Sequence, residues 1–142
     1  VHRTLQRIVI ARQRDAMLLC VSSYPAPVEA LQLRRLRWWW GAQQEGNPPY
    51  DAIDIGFSDH SDPALTWTGA LAVAAGATMI EAHLRLDDTD PANPDYPHAM
   101  TPAQFAEYVA NIRFAETCLG SGEKKLQDCE RAMSKYRVGA HG

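Results

Sequence analysis

The sequence of 142 residues predicts an α/β fold with a parallel sheet. Three observations lead to this prediction. Short continuous apolar runs alternate with segments of helical spacing, and each apolar run ends abruptly in polar residues. Hydrophobic residues make up 46% and charged residues 22% of the chain, which is an ordinary globular composition and excludes a mainly disordered protein.

The first part of the chain predicts two helices and one strand. Apolar residues at helical spacing over residues 4–14 predict a helix. The apolar run over residues 16–21 predicts a strand buried on both faces, as in a parallel sheet, and serines and prolines end it. Residues 28–40 predict the second helix, and the Gly- and Pro-containing segment 43–50 predicts a loop.

The middle of the chain repeats this alternation. Residues 52–57 predict the second strand and residues 78–84 the third. A helix is predicted between them over residues 62–75, because Asp62 suits a helix cap and Pro63 suits a first helical turn. Neither a GxGxxG nor a GxxxxGK[ST] motif is present, so a nucleotide-binding version of the fold has no support.

An acidic loop over residues 87–100 precedes the last predicted helix. Thr101 and Gln104 have the spacing of a capping box, and the helix is expected to end near Leu119. The polar residues 123–142 are expected to form a partly ordered tail. Three strands neither close a barrel nor cover both faces of an open sheet. Either further strands lie outside this chain, or a partner supplies them.

The charge and the cysteine content limit the possible binding partners of the protein and its cellular compartment. A net charge of −3 argues against a nucleic-acid binder; the basic residues among the first 40 suit the outer faces of helices better than a phosphate-gripping arm. Three cysteines without CxxC spacing indicate reduced thiols, and Cys20 is expected to be an inert core thiol. With no apolar run near the roughly 18 residues of a membrane span and no signal peptide, we expect a cytoplasmic protein without a membrane partner.

Two histidines follow neighbouring predicted strands. His60 and His83 are separated by one helix and one strand, so both are expected at the carboxyl edge of the sheet, where parallel α/β folds collect reactive groups. With the carboxylates of Asp59, Glu81 and Asp95 nearby, they suit a divalent ion such as Mn²⁺, Zn²⁺ or Fe²⁺. Each histidine taken alone is more often structural, and only the matched positions favour a metal site.

Other polar residues at the strand ends have weaker assignments. Ser22, Ser23 and Ser58 are short donors that suit a phosphate or a carboxylate, although serines are common in turns. Asp59 is either a helix cap or a residue that orients a histidine. His98, in the acidic loop, is the less favoured candidate for a third metal ligand.

Five stretches of the sequence together resemble one family. They are CVSSYPAP at 20–27, IGFSDHS at 55–61, AAGATMIEAHLRLD at 74–87, NPDYPHAMTPAQFAEYV at 93–109 and GSGEKK at 120–125. In this order they resemble the sialic acid synthase family, which includes N-acetylneuraminate synthase and its legionaminate and spore-coat relatives. The resemblance covers nearly the whole chain beyond about residue 16.

The resemblance implies a (β/α)₈ TIM barrel that condenses phosphoenolpyruvate with an N-acylated amino sugar. Residues 1–122 would correspond to the last three strands of that barrel with their helices, and residues 123–142 to a polar tail. A complete barrel needs about 250 residues, so roughly the first five strands have no counterpart in this sequence. Neither do the Lys and Ser residues with which that first part grips phosphoenolpyruvate, nor the family's small C-terminal domain. The chain alone is therefore expected to be inactive.

The resemblance also implies roles for individual residues. His60 and His83 match the histidines that bind a divalent metal ion, with Mn²⁺ the first choice and Mg²⁺ or another ion as alternatives. The remaining matches are Ser22 and Ser58 for phosphoenolpyruvate, Tyr24, Glu81 and Asp95 for the sugar, and Glu81 and Asp95 again as catalytic groups for proton transfer.

The sequence departs from the family pattern beside these matches. Ala82 and Leu84 flank His83 where the family has a basic residue and a phenylalanine, Tyr96 replaces a histidine, and Ala99 falls at a serine. These changes leave the two predicted metal ligands in place and alter residues beside the predicted sugar contacts.

Two alternatives remain open at this point. One is a barrel relative without catalysis that serves as a binding or assembly module. The other is a different metal-dependent aldolase on the same barrel. For the synthase we expect small-molecule substrates and a homo-oligomer, with a dimer as the first choice.

Overall fold

A computed structural model describes residues 15–46 and 53–136 of the chain. Within these residues three strands form one parallel sheet. In sheet order they are β1 (Asp15–Cys20), β2 (Ile53–Asp59) and β3 (Met79–Ala82). The predicted parallel α/β arrangement is confirmed, whereas the helix predicted over residues 4–14 lies outside the described residues.

Helices connect and follow the strands, and a short helix forms the end of the described chain. The α-helices are α1 (Arg34–Gln44), α2 (Thr68–Ala74) and α3 (Pro102–Leu119). Short 3₁₀ helices cover Val28–Ala30 and Asp128–Tyr136. The second of these lies in the predicted polar tail, where the described side chains are exposed.

Strand β2 is the centre of the sheet. It is buried from Ile55 to Asp59, because it has a paired strand on each side. Its Ser58 lies opposite Cys20 of β1 and Glu81 of β3. The carboxyl ends of all three strands consequently form one row, the edge at which parallel α/β folds carry their functional side chains.

The first strand is less buried than predicted. The expectation of burial on both faces is wrong: of β1 only Leu19 is fully buried, because β1 is an edge strand of the described sheet. Cys20, expected to be a core thiol, is exposed. The second strand extends beyond its predicted end at residue 57, so Ser58 and Asp59 belong to the strand rather than to the turn after it.

The second predicted helix is wrong in its first part. The 3₁₀ helix Val28–Ala30 is followed by Gln32 at a φ of 49°, a left-handed conformation that an α-helix does not accommodate. The side chain of Gln32 donates a hydrogen bond of 2.7 Å to the carbonyl of Glu29 and stabilises this bend. Helix α1 therefore begins six residues later than predicted.

The third predicted helix also begins late, at Thr68 rather than at residue 62. Asp62 caps a turn instead, because its carboxylate accepts a 2.9 Å hydrogen bond from the amide of Ala64. The last helix matches its prediction: Thr101 and Gln104 form both bonds of the capping box, and α3 ends at Leu119, with Gly120 as its C-cap.

Two apolar clusters hold these elements together. The larger one joins β1, β2, α1 and α2, and the smaller one joins α3 to the third strand. The buried members of the larger cluster are Leu19, Ala26, Leu31, Leu36, Ile55, Phe57, Ala72 and Ala77, and those of the smaller are Met100, Tyr108 and Ile112. None of the helices in the described part of the chain is long and apolar enough to cross a membrane.

Candidate metal centre and substrate site

Three imidazole rings meet at the carboxyl edge of the sheet. His60 follows β2, His83 follows β3, and His98 comes from the loop before α3. The ring centres of His60 and His83 lie 5.2 Å apart, so the predicted convergence of these two histidines is confirmed. The ring of His98 lies 4.5 Å from that of His83 and 5.7 Å from that of His60, which adds a third imidazole to the group.

The orientation of the His60 ring follows from its neighbours. Its Nδ1 atom lies 3.0 Å from the carbonyl oxygen of Val21 and 3.7 Å from the Sγ atom of Cys20. A carbonyl only accepts hydrogen bonds, so the contact with Val21 is satisfied when Nδ1 carries the proton. Nε2 then keeps its lone pair, and it lies 3.3 Å from the Oγ atom of Ser58, facing the shared site.

Two carboxylates accompany the rings. Ser58 donates a hydrogen bond of 2.5 Å to Oε2 of Glu81, and the other oxygen of Glu81 lies 3.8 Å from Nε2 of His83. Asp95 lies between two imidazoles, with 3.5 Å to Nδ1 of His83 and 3.7 Å to Nε2 of His98. These carboxylate–imidazole separations are too long for strong hydrogen bonds.

The donor atoms suit a divalent cation. His60, Glu81 and His83 each offer one ligand atom within 4.8 Å of the others, and so do His83, Asp95 and His98. Metal–ligand bonds of about 2.0–2.2 Å place neighbouring donors roughly 3–3.6 Å apart, close to the separations of 3.5–3.8 Å between His83, Asp95, Glu81 and His98. Mixed imidazole and carboxylate ligands suit borderline divalent metals.

His98 is buried without a hydrogen-bond partner. The residue is 2% exposed, and within the described residues neither of its ring nitrogens has a partner. Burial, and in second place the neighbouring His83, lower the pKa of His98, which keeps its imidazole neutral. A buried neutral imidazole with free nitrogens is ready to act as a metal ligand.

The loop that carries His98 is tied to the sheet by backbone contacts. The amide of Met100 donates to the carbonyl of His83 at 2.8 Å, and the amide of Arg85 donates back to Met100 at 2.9 Å. The side chain of Arg85 bonds the carbonyl of Ala99 and lies over the ring of Tyr96. These contacts return the loop to the end of β3 and position His98 beside His83.

Tyr24 forms a wall of the site, and Ser22 lies outside it. The Tyr24 ring centre is 4.4 Å from that of His60 and 4.6 Å from that of His98, and 53% of the residue remains exposed. Ser22 is exposed and forms no hydrogen bond to the cluster among the described residues. The structure thus groups all the predicted site residues except Ser22.

Asp59 faces away from the histidines into the helices. Its carboxylate accepts hydrogen bonds from the amide of Ser61 at 3.0 Å, from the hydroxyl of Tyr108 at 2.8 Å and from the hydroxyl of Thr68. Burial, with the negative charge of Asp59 in second place, raises the pKa of Tyr108 well above its ordinary value. The sequence alternatives of a helix cap or a histidine-orienting residue are both wrong, because Asp59 anchors the end of β2 to α2 and α3.

The NeuB family model matches residues 2–124 of the sequence. The chain belongs to the NeuB family. It is 38% identical over 114 residues to N,N'-diacetyllegionaminic acid synthase of Legionella pneumophila, covering 80% of this chain and 29% of the relative. It is 33% identical over 118 residues to human N-acetylneuraminate-9-phosphate synthase, covering 83% of this chain and 30% of the relative.

Solved structures of NeuB relatives share this fold. The spore coat polysaccharide biosynthesis protein SpsE of Bacillus subtilis matches with a TM-score of 0.70 and 31% identity, over 88% of this chain and 33% of that one. The sialic acid synthetase of Leptospira borgpetersenii, in complex with citrate, matches with a TM-score of 0.65 and 29% identity, over 85% of this chain and 39% of that one. The chain spans about a third of the length of the curated relatives it matches.

Proposed function

We propose that the protein acts in the condensation of phosphoenolpyruvate with an N-acylated amino sugar, similar to N-acetylmannosamine, to give a nonulosonate of the sialic acid type. In this proposal the chain supplies the last three strands of a (β/α)₈ barrel. The observation that carries it is the meeting of His60, His83, Glu81 and Asp95 at the carboxyl edge of the sheet. Membership of the NeuB family, with relatives named as synthases of neuraminic and legionaminic acids, supports it.

The proposed cofactor is a divalent metal ion, with Mn²⁺ as the first choice. His60 and His83 would hold it, and the carboxylate of Glu81 offers a further ligand atom beside them. A divalent ion bound there polarises a carbonyl oxygen and stabilises negative charge that develops on it. Neutral imidazoles leave most of the positive charge of such an ion uncancelled.

The hydroxyl of Ser58 is the proposed donor to phosphoenolpyruvate. It lies between His60 and Glu81 and now donates to Glu81, so it already points into the site. A phosphate or carboxylate oxygen of the substrate is an acceptor of the same kind as the carboxylate it would replace. Ser22, exposed just beyond β1, would be a second donor at the rim.

The sugar would lie against Tyr24, between two carboxylates. The Tyr24 ring covers His60 and His98 on one side, where it can exclude water from the reacting carbons. Glu81 and Asp95 are acceptors for sugar hydroxyls, and the Oε1 atom of Glu81, which has no hydrogen bond among the described residues, would take or return a proton. In the reaction a carbon–carbon bond forms between C3 of phosphoenolpyruvate and the sugar carbonyl carbon, water adds at C2, and phosphate leaves.

The rest of the barrel mouth is proposed to come from strands beyond this chain. Both β1 and β3 have one edge without a partner strand among the described residues. Positioning two substrates contributes a large share of the rate, and it requires groups on all sides of them. The 142-residue chain alone is therefore expected to release no phosphate.

The test is a chimera in which the part of the Legionella pneumophila N,N'-diacetyllegionaminic acid synthase that precedes its match to this chain is joined in front of this chain. The expected result is phosphate release that requires phosphoenolpyruvate, a divalent ion and an acylamino sugar, and that His60→Gln or His83→Gln abolishes. Asp128→Asn, at an exposed carboxylate of the tail, is the matched control and keeps full activity. A folded, metal-loaded chimera that releases no phosphate with N-acetylmannosamine or related sugars overturns the proposal and leaves a non-catalytic binding module.

A smaller graft protects this test against misfolding of the chimera. Residues 58–100 of this chain replace the corresponding segment of the intact Legionella synthase, so that most of a complete synthase is retained. Phosphate release by this graft supports the proposal even if the larger chimera is insoluble. A folded graft without activity contradicts it.

A further inference from the structure

We infer that His98 is a third imidazole ligand of the metal ion proposed for His60 and His83. The inference rests on that proposed metal site and adds a ligand from the loop before α3. Among the residues that the structure describes, these are the only three histidines, and all three rings are within 5.7 Å of one another between centres.

The spacing of the three rings is that of imidazoles around one ion. With metal–nitrogen bonds of about 2.1 Å, imidazoles that share an ion have ring centres roughly 4.5–5.5 Å apart. The measured separations are 4.5 Å for His83 and His98, 5.2 Å for His60 and His83, and 5.7 Å for His60 and His98. The longest of these lies just outside the expected range, and the donor atoms form two sets that share His83, so binding of one ion by all three rings requires His98 to move toward His60.

The burial of the His98 ring and its lack of hydrogen bonds indicate that its nitrogens bind another group. It is 2% exposed, and both its nitrogens lack a hydrogen bond among the described residues. Buried polar atoms nearly always have a partner, so an imidazole with two free nitrogens needs an explanation. The carboxylate of Asp95, at 3.7 Å from Nε2, is too distant to provide it.

Neighbouring residues hold the His98 ring in a fixed position. The amide of His98 donates to the carbonyl of Asp95 at 3.2 Å, and the next two residues are bonded to the turn and to the end of β3. On its other side the ring packs against Tyr24. These contacts fix the backbone and one face of the ring, so the His98 ring is held beside His83.

A third neutral nitrogen donor changes the metal preference. It strengthens the binding of borderline ions such as Co²⁺ and Zn²⁺ more than that of Mn²⁺, and far more than that of Mg²⁺. Replacement of His98 should therefore reduce Co²⁺ affinity strongly and Mg²⁺ affinity little.

The test measures metal binding by the full chain, without any turnover. Co²⁺ is titrated into the wild type, His98→Phe, His60→Phe and the control Asp87→Asn, whose exposed carboxylate lies in the same loop. We expect one Co²⁺ per wild-type chain with visible absorption typical of nitrogen ligands. His98→Phe should weaken binding about tenfold or more and change the spectrum, as His60→Phe does, whereas Asp87→Asn leaves both unchanged.

The outcomes separate this inference from the proposals on which it rests. Wild-type binding with unchanged affinity and spectrum in His98→Phe overturns the inference alone, and assigns His98 to packing against Asp95. No Co²⁺ binding by the wild type overturns the metal site and the inference together. Metal binding through His98 in a chimera that releases no phosphate overturns only the proposed reaction.

A second measurement needs no variant. On Zn²⁺ binding to ¹⁵N-labelled wild-type chain, one ring nitrogen of His98 should change its chemical shift as a coordinated nitrogen does, together with nitrogens of His60 and His83. A spectrum in which His98 keeps its metal-free shifts while the other two change refutes the inference even if His98→Phe does not fold.

Discussion

Replacement of Tyr108 by Phe tests how the end of β2 is anchored. The hydroxyl of Tyr108 donates a 2.8 Å hydrogen bond to the buried carboxylate of Asp59, whose other donors are the amide of Ser61 and the hydroxyl of Thr68. A hydrogen bond to a charged group contributes about 1.5–3 kcal/mol. Since Phe fills the same space, Tyr108→Phe should lower the free energy of unfolding by about 2 kcal/mol, or the Tm by roughly 4–8 °C.

The assay is urea unfolding of the full chain followed by circular dichroism. Tyr96→Phe is the matched control, because the Tyr96 ring lies under Arg85 and its hydroxyl has no hydrogen bond among the described residues. The control should change the free energy of unfolding by less than about 0.5 kcal/mol. Equal effects of the two substitutions, or no effect of Tyr108→Phe, would refute the anchoring role of Asp59.

The contact between Tyr108 and Asp59 also predicts how the stability of the chain changes at alkaline pH. Burial and Asp59 raise the pKa of Tyr108, so the folded chain favours the neutral phenol. This contribution to stability is complete below the unfolded-state pKa of about 10 and is lost as pH rises above it. The wild type should lose stability above pH 10 more steeply than Tyr108→Phe. If the stability of the wild type and of Tyr108→Phe falls equally steeply with pH, the raised pKa of Tyr108 is contradicted.

Three further substitutions test the packing and the helix ends by the same unfolding assay. Gly69→Ala should cost about 1–3 kcal/mol, because a Cβ there meets the ring of Tyr108. Gly41→Ala, with nothing within 4 Å of its Cβ, should instead stabilise α1 by about 0.5–1 kcal/mol. Thr101→Ala removes the capping box and should cost about 1 kcal/mol. The two glycine substitutions should change the free energy of unfolding in opposite directions. Equal losses of stability would refute the packing argument.

The order of elements was predictable because it depends on local patterns. Apolar runs ended by polar residues located the three strands, and the capping box of Thr101 located the start of α3. The starts of α1 and α2 were not predictable in this way. The first depends on the bend at Gln32, and the second on turns in which Asp62 caps Ala64 rather than a helix.

The site was predictable where strand register determines it. His60 and His83 follow paired strands, and the register that places Ser58 opposite Glu81 brings them to one edge. The sequence does not predict the place of His98, because that place depends on how a long loop returns to β3. The contact of Met100 with His83 makes this return, and no periodic pattern encodes it. The anchoring role of Asp59 is likewise not predictable, because its donors, such as Tyr108, lie on helices distant in the sequence.

In the proposed site the imidazoles of His60 and His83 share one divalent ion beside Ser58 and Glu81. The most direct test is anomalous diffraction from crystals of the protein grown with Mn²⁺. We expect one anomalous peak, about 2.0–2.3 Å from Nε2 of His60 and from a ring nitrogen of His83. A peak bound elsewhere on the chain, or none at saturating Mn²⁺, Co²⁺ or Zn²⁺, would contradict it.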